Sequence, residues 1–156
     1  MCIRDRDVIV QGQILNLLKK INWEYQVSII FISHDLSVIA EMTDKVAIMY
    51  AGKIVEMGPG ERIFKDPQHP YTKALIKAIP KLRGPKEKLS YIPGSPPDLR
   101  NPPKGCRFQP RCPLAFEKCG EEPPLFEVAP GHVSACWLNE PSRLPGAAAG
   151  GAGQSV

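Results

Sequence analysis

Two groups of residues in this 156-residue chain have types and spacings that could do chemistry. The first is Ser33-His34-Asp35, a polar triplet directly behind the apolar run at residues 27–32. In open α/β sheets, ligands bind beyond the carboxyl ends of the strands, where loops and helix N-termini gather. An imidazole there could donate to an anionic ligand such as a phosphate. The plainer alternative makes His34 one polar residue of a capping turn. The three neighbours do not form a catalytic triad, because triad members converge from distant segments.

The second group is Cys106, Cys112, Cys119 and Cys136. They are separated by five, six and sixteen residues, unlike the close Cys-x-x-Cys pairs of common zinc sites. Four thiolates can still hold an iron–sulfur cluster, which accepts varied spacing. His132, four residues before Cys136, is an alternative ligand should the metal be zinc. Unligated structural thiols are a second reading. Disulfides fit less well, because residues 1–6 lack the apolar stretch of a secretory signal and point to a reducing cytosol. Cys2 stands apart in that unusual start.

The elements that must position these groups can be read from periodicity. Val10, Ile14, Leu17, Leu18 and Ile21 fall at helical spacing, which predicts an amphipathic helix over residues 7–25. Residues 27–32 (VSIIFI) are almost continuously apolar and rich in β-branched types, which predicts a strand covered on both faces, as in a parallel sheet. Ser33 is the expected N-cap of a short helix reaching Met42. Residues 45–50 and 53–57 predict two strands joined at Ala51-Gly52. Pro59 suits the first turn of a helix to Lys65, and another helix is expected over residues 71–79.

Composition changes at Pro80: fourteen of the seventeen prolines lie from there on, together with the four spaced cysteines. Each proline removes a donor and restricts the residue before it, so residues 80–103 should be extended or looping. Residues 146–156 are rich in Gly and Ala without apolar periodicity and are expected to be disordered. The formal charge of +4 comes with no basic run, which gives little reason to expect a nucleic-acid partner. No apolar stretch of ~18 or more residues is present to span a membrane.

Three ordered segments carry a resemblance. Val10-Gln11-Gly12-Gln13-Ile14-Leu15, then Phe31-Ile32-Ser33-His34-Asp35-Leu36, then the run from Asp44 to Gly58 are similar to the last third of an ABC-transporter ATPase domain. Downstream, His69-Pro70-Tyr71-Thr72-Lys73-Ala74-Leu75, Ile92-Pro93-Gly94-Ser95-Pro96-Pro97-Asp98-Leu99 and Gly105-Cys106-Arg107-Phe108-Gln109-Pro110-Arg111-Cys112-Pro113 resemble the dipeptide/oligopeptide-importer ATPases. The resemblance covers residues 7–138. It implies that His34 is the switch histidine touching the ATP γ-phosphate. It also places Asp7 at the D-loop aspartate, although residues 1–6 depart from the family pattern, and it makes the four cysteines ligands of a [4Fe-4S] cluster. For His69-Pro70-Tyr71 itself, a helix-start turn is the expected local role.

The expected fold is therefore α/β. Residues 1–80 form the C-terminal part of a P-loop ABC nucleotide-binding domain, 81–138 a Pro/Cys-rich extension with the four-Cys site, and 139–156 a tail. The family's phosphate loop, its Asp-Glu strand for magnesium and its signature loop do not occur in the chain. The fragment alone is expected to be inactive. In the full-length relative, the resemblance implies ATP with Mg2+, a second ATPase subunit (identical or not), membrane permease subunits and, indirectly, an extracytoplasmic solute-binding protein. It also implies a peripheral place on the cytoplasmic face of the inner membrane and coupling of ATP hydrolysis to peptide uptake. Three rivals remain: a stand-alone metal- or Fe-S-binding interaction module, an ABC ATPase of another class, and a nucleic-acid-binding zinc protein.

Overall fold

A computed structural model describes residues 3–78, 92 and 94–143. The chain divides into two compact units, residues 1–44 and 45–156. It mixes helices and strands, in keeping with an α/β class. Cys2, the end of the expected helix at Ile79, most of the expected loop over residues 80–103 and the tail at 146–156 lie outside the described residues.

The first unit holds α1 (Ile3–Tyr25) and α2 (Leu36–Met42). α1 begins before the expected Asp7. Leu15 is buried, but Val10, Ile14 and Leu17 are about half exposed. Lys19 pairs with Glu41 at 2.6 Å, tying α1 to α2. The strand expected at residues 27–32 does not form: the segment is irregular, and Ile30 and Ile32 are each 91% exposed. A strand requires a neighbour for its N–H and C=O groups, and no described strand pairs with this run. The N-cap of α2 is also corrected, from Ser33 to Asp35, whose carboxylate accepts from the Ser37 N–H at 3.0 Å.

The second unit opens with the expected hairpin, β1 (Lys45–Tyr50) and β2 (Lys53–Pro59). Ala51 and Gly52 both adopt positive φ, 49° and 80°, the tight-turn geometry that matches strand twist. Strict alternation buries Val46, Ile48 and Tyr50 on one face of β1. On β2 a register shift opposite Ile48 and Met49 leaves Val55 as an extra residue. That bulge brings two consecutive residues, Val55 and Glu56, into the interior.

α3 (Gly60–Lys65) follows, with Ile63 fully buried, and then α4 (Pro70–Lys77), with Pro70 at its first position. Beyond residue 92 regular structure is sparse, as the prolines predict. It consists of short 3-10 turns and a second hairpin, β3 (Phe126–Ala129) and β4 (His132–Ser134). β4 pairs with β2, so both hairpins share one antiparallel sheet of order β1-β2-β4-β3. The Pro/Cys-rich segment therefore completes a sheet begun before Pro80. Phe108, 1% exposed, seats it against Tyr50 and Tyr71, with ring centroids 5.3 and 5.4 Å away.

Candidate functional site

In the first unit, a capping turn fixes the neighbours of His34. The Ser33 hydroxyl oxygen accepts from the Asp35 N–H at 3.0 Å. Both the hydroxyl and the N–H of Ser37 donate to Asp35. The Ser37 hydroxyl, followed by the backbone donors, holds the Asp35 carboxyl below its ordinary range. His34 itself sits on an exposed bend. It is thus held at the start of α2 with its ring presented to solvent, compatible with contact to a ligand supplied from elsewhere. Asp7 lies within α1.

In the second unit, all four spaced cysteines line one small cavity with His69, Pro70, Phe108, Gln109, Leu114, Trp137 and Leu138. None is in a disulfide; Cys119 and Cys136 are buried, while Cys106 and Cys112 are partly so. The approach is made by close backbone packing. Cys106 N–H donates to the Cys119 carbonyl at 3.0 Å. A Cβ on Gly105 would lie 2.4 Å from that same carbonyl, so only glycine fits. The 3-10 turns Gln109–Arg111, Glu117–Gly120 and Trp137–Asn139 carry the chain around the thiols. Arg107 donates to the Ala51 carbonyl, and Arg111 to Tyr50 Oη at 3.2 Å and to the Ile92 carbonyl at 2.9 Å, fastening the loop to the first hairpin.

Burial raises the thiol pKa of Cys106 and Cys112, and pushes that of Cys136 up to about 11. The other cysteines add to the rise: Cys119 acts on Cys106, and Cys106, Cys112 and Cys119 act on Cys136. Backbone amides oppose it: those of Phe108 and Gln109 face Cys106, that of Leu114 faces Cys112 and that of Leu138 faces Cys136. The amide two residues on thus opposes burial at three of the four positions without offsetting it.

Burial thus favours the neutral thiol at Cys106, Cys112 and Cys136. The spacing does not fit a single ion: among the described residues no three His, Cys, Asp or Glu side chains could hold one. Ligands to a four-iron cluster bind different irons and stand farther apart. The cavity measures only about 10 Å³, space for one water-sized body, so filling it with a cluster would require its walls to draw back.

The expectation for His132 is overturned. It does not line the cavity; it is 2% exposed on β4 with Nε2 2.7 Å from Glu56 Oε1. The bulge in β2 turns Glu56 inward, where its carboxylate also accepts the N–H groups of Gln68 at 2.6 Å and His69 at 3.0 Å. A buried carboxylate needs such partners, and its contacts join β2, the start of α4 and β4.

His69 takes the helix-start role expected of His69-Pro70-Tyr71: Nδ1 accepts the Tyr71 N–H at 3.1 Å. Its other nitrogen was not legible. Nε2 is buried without a hydrogen-bond partner, although the Ala135 backbone acts on the ring and raises its pKa against the larger effect of burial. Burial lowers the His69 pKa to about 4, so the ring is neutral near pH 7. No periodicity or spacing ties His69 to the cysteines, and only folding brings it to their cavity.

Comparisons with known proteins bear on both sites. Residues 55–119 match the family model for the oligopeptide/dipeptide transporter C-terminal region, a stretch that takes in His69 and three of the four cysteines. The chain is 48% identical to the oligopeptide transport ATP-binding protein OppD of Escherichia coli K12 over 131 residues, 84% of this chain and 39% of that protein. It is 48% identical to the Bacillus subtilis OppD over 137 residues, 86% of this chain and 38% of that one. It is also 48% identical to the dipeptide transport ATP-binding protein DppD of Lactococcus lactis subsp. cremoris over 143 residues, 89% and 40% of the two chains. The chain thus spans about two fifths of the length of these relatives. It belongs with the ATP-binding subunits of oligopeptide and dipeptide ABC transporters, and carries their C-terminal region.

Proposed function

We propose that this chain is part of an ATP-binding subunit that couples ATP hydrolysis to peptide import. The observation that carries the reading is its near-half identity, over most of its length, to transport ATP-binding proteins for oligopeptides and dipeptides. His34 is the switch residue: its exposed ring, held between the capped Ser33 and Asp35, contacts the γ-phosphate of ATP bound with Mg2+ and stabilises charge in phosphoryl transfer. Asp7 serves the D-loop, across a dimer with a second ATPase subunit. Permease subunits and, indirectly, a solute-binding protein complete the assembly, peripheral on the cytoplasmic side of the membrane. Among the described residues no helix is long and apolar enough to cross a membrane. Residues 1–80 form the ATPase portion and 81–138 the extension that completes its last sheet.

The test replaces the matching stretch of the E. coli OppD with this chain in a strain that needs imported peptide. The chimera should support uptake, and His34→Ala should cut ATP turnover on the order of 10²-fold, as loss of one transition-state donor does. The isolated chain should show no turnover. Turnover by it that His34→Ala abolishes would sink the inactive-fragment reading, and a silent His34→Ala chimera would sink the switch role.

A second reading concerns the extension. Four thiols around one cavity, three of them facing backbone amides, favour a [4Fe-4S] centre whose thiolate ligands would be Cys106, Cys112, Cys119 and Cys136. Bound there, it would staple a proline-rich segment that has few long elements. Iron and sulfide analysis of anaerobically purified chain tests it. The relatives named are transport subunits, which lends no support to a stand-alone metal module.

A further inference from the structure

Residues 27–32 leave in the open what their composition would bury. Exposure alternates along the run: Ile29 and Phe31 are partly covered, whereas Ile30 and Ile32 are almost bare. Phe31 lines an open groove of about 350 Å³ with Val10, Ile14 and Leu18 of α1 and Val38 of α2. One side of the run thus leans on an apolar groove and the other meets solvent. Three features say what covers such a surface. Backbone N–H and C=O groups outside a ladder ask for strands, which a lipid phase cannot supply. Edge strands are guarded by charge or proline, and this run has neither. Apart from Ser28 it is apolar on both faces, as in a strand with a neighbour on each side. A second copy of the run would cover one edge and leave the other open. Finally, the chain spans about two fifths of its relatives, so most of such a subunit lies outside it.

Resting on the reading of the chain as part of an ATP-binding subunit, we propose that residues 10–38 form a docking surface for the apolar, strand-bearing remainder of that subunit. Its strands pair with both edges of residues 27–32, and their side chains fill the groove beside Phe31. α1 keeps one face of the resulting sheet, and Ile30 and Ile32 become buried on the other. The run becomes a strand only on docking. Pairing also fixes the backbone that leads into His34, two residues beyond Ile32.

The test co-produces the full chain with the part of E. coli OppD that it does not match, about three fifths of that protein, and purifies through a tag on the chain. A one-to-one complex should form, and the amides of residues 29–32 should lose the fast hydrogen exchange they show in the chain alone. Ile30→Lys with Ile32→Lys should abolish the complex. Both positions are 91% exposed, so the chain alone loses no packing by the change. Leu99→Lys, at an exposed leucine of the second unit, should leave the complex intact. Fast exchange at residues 29–32 within a complex, or a complex that survives the paired lysines, overturns the docking surface and leaves the subunit reading standing. So does a failure to associate while the chimera with E. coli OppD still supports uptake. A chain that pairs only with itself in the presence of the added part makes a second copy the occupant and overturns the proposal. Failure of both the complex and the chimera overturns the subunit reading as well.

Discussion

Glu56 shows how much one buried side chain can join. Its carboxylate accepts from Gln68 N, His69 N and His132 Nε2, and it is fully buried. Glu56→Ala would leave these donors unpaired in the interior and should cost about 3–5 kcal/mol, read as a lower urea midpoint. His132→Ala removes one partner and should cost less than the loss of all three contacts. His69 gives a second prediction, for the metal-free chain. Its pKa is depressed from the ordinary 6.5 to about 4, so between these values the unfolded chain binds the extra proton. Its contribution is therefore complete above pH 6.5 and lost as pH falls toward 4, by about 3 kcal/mol in all. The facing groups are Glu56, which raises the pKa without offsetting burial, and the cavity thiols. Urea melts across that range should show the slope in the wild type, and His69→Asn should flatten it.

Among the elements, the hairpin at residues 45–59 was legible because three local signals agree: alternation along β1, a two-residue turn, and flanking β-branched residues. The bulge at Val55 was not legible, because register depends on the facing strand. Residues 27–32 are the opposite case. Their types specify a buried strand, yet a strand exists only with neighbours, and the run lies irregular with Ile30 and Ile32 exposed. An uncharged run of β-branched residues without Pro or Gly is a template for intermolecular pairing. The isolated chain should therefore self-associate, and Ile30→Lys with Ile32→Lys should lower its light scattering at equal concentration. Unchanged scattering would place the contact elsewhere.

Over the whole molecule, the sheet order β1-β2-β4-β3 joins residues 45–59 to residues 126–134. Removing residues 121–156 should therefore destabilise the first hairpin as well. It strips β4 from β2, takes His132 from Glu56, and removes Ala135, whose N–H donates to the Val55 carbonyl at 2.8 Å. Loss of hydrogen-exchange protection at Val46 and Ile48 would register this. The sequence by itself determined the local elements, the start of α4 and the pairing of chemistry with segment: a histidine behind an apolar run, and four thiols in a proline-rich extension. These follow from neighbours a few residues apart, where periodicity and turn chemistry act. Only tertiary structure decided that the four thiols share a cavity with His69, that His132 serves Glu56 instead, and that the extension finishes the hairpin's sheet. Each depends on residues far apart in the chain, brought together by burial and by backbone donors that must find acceptors.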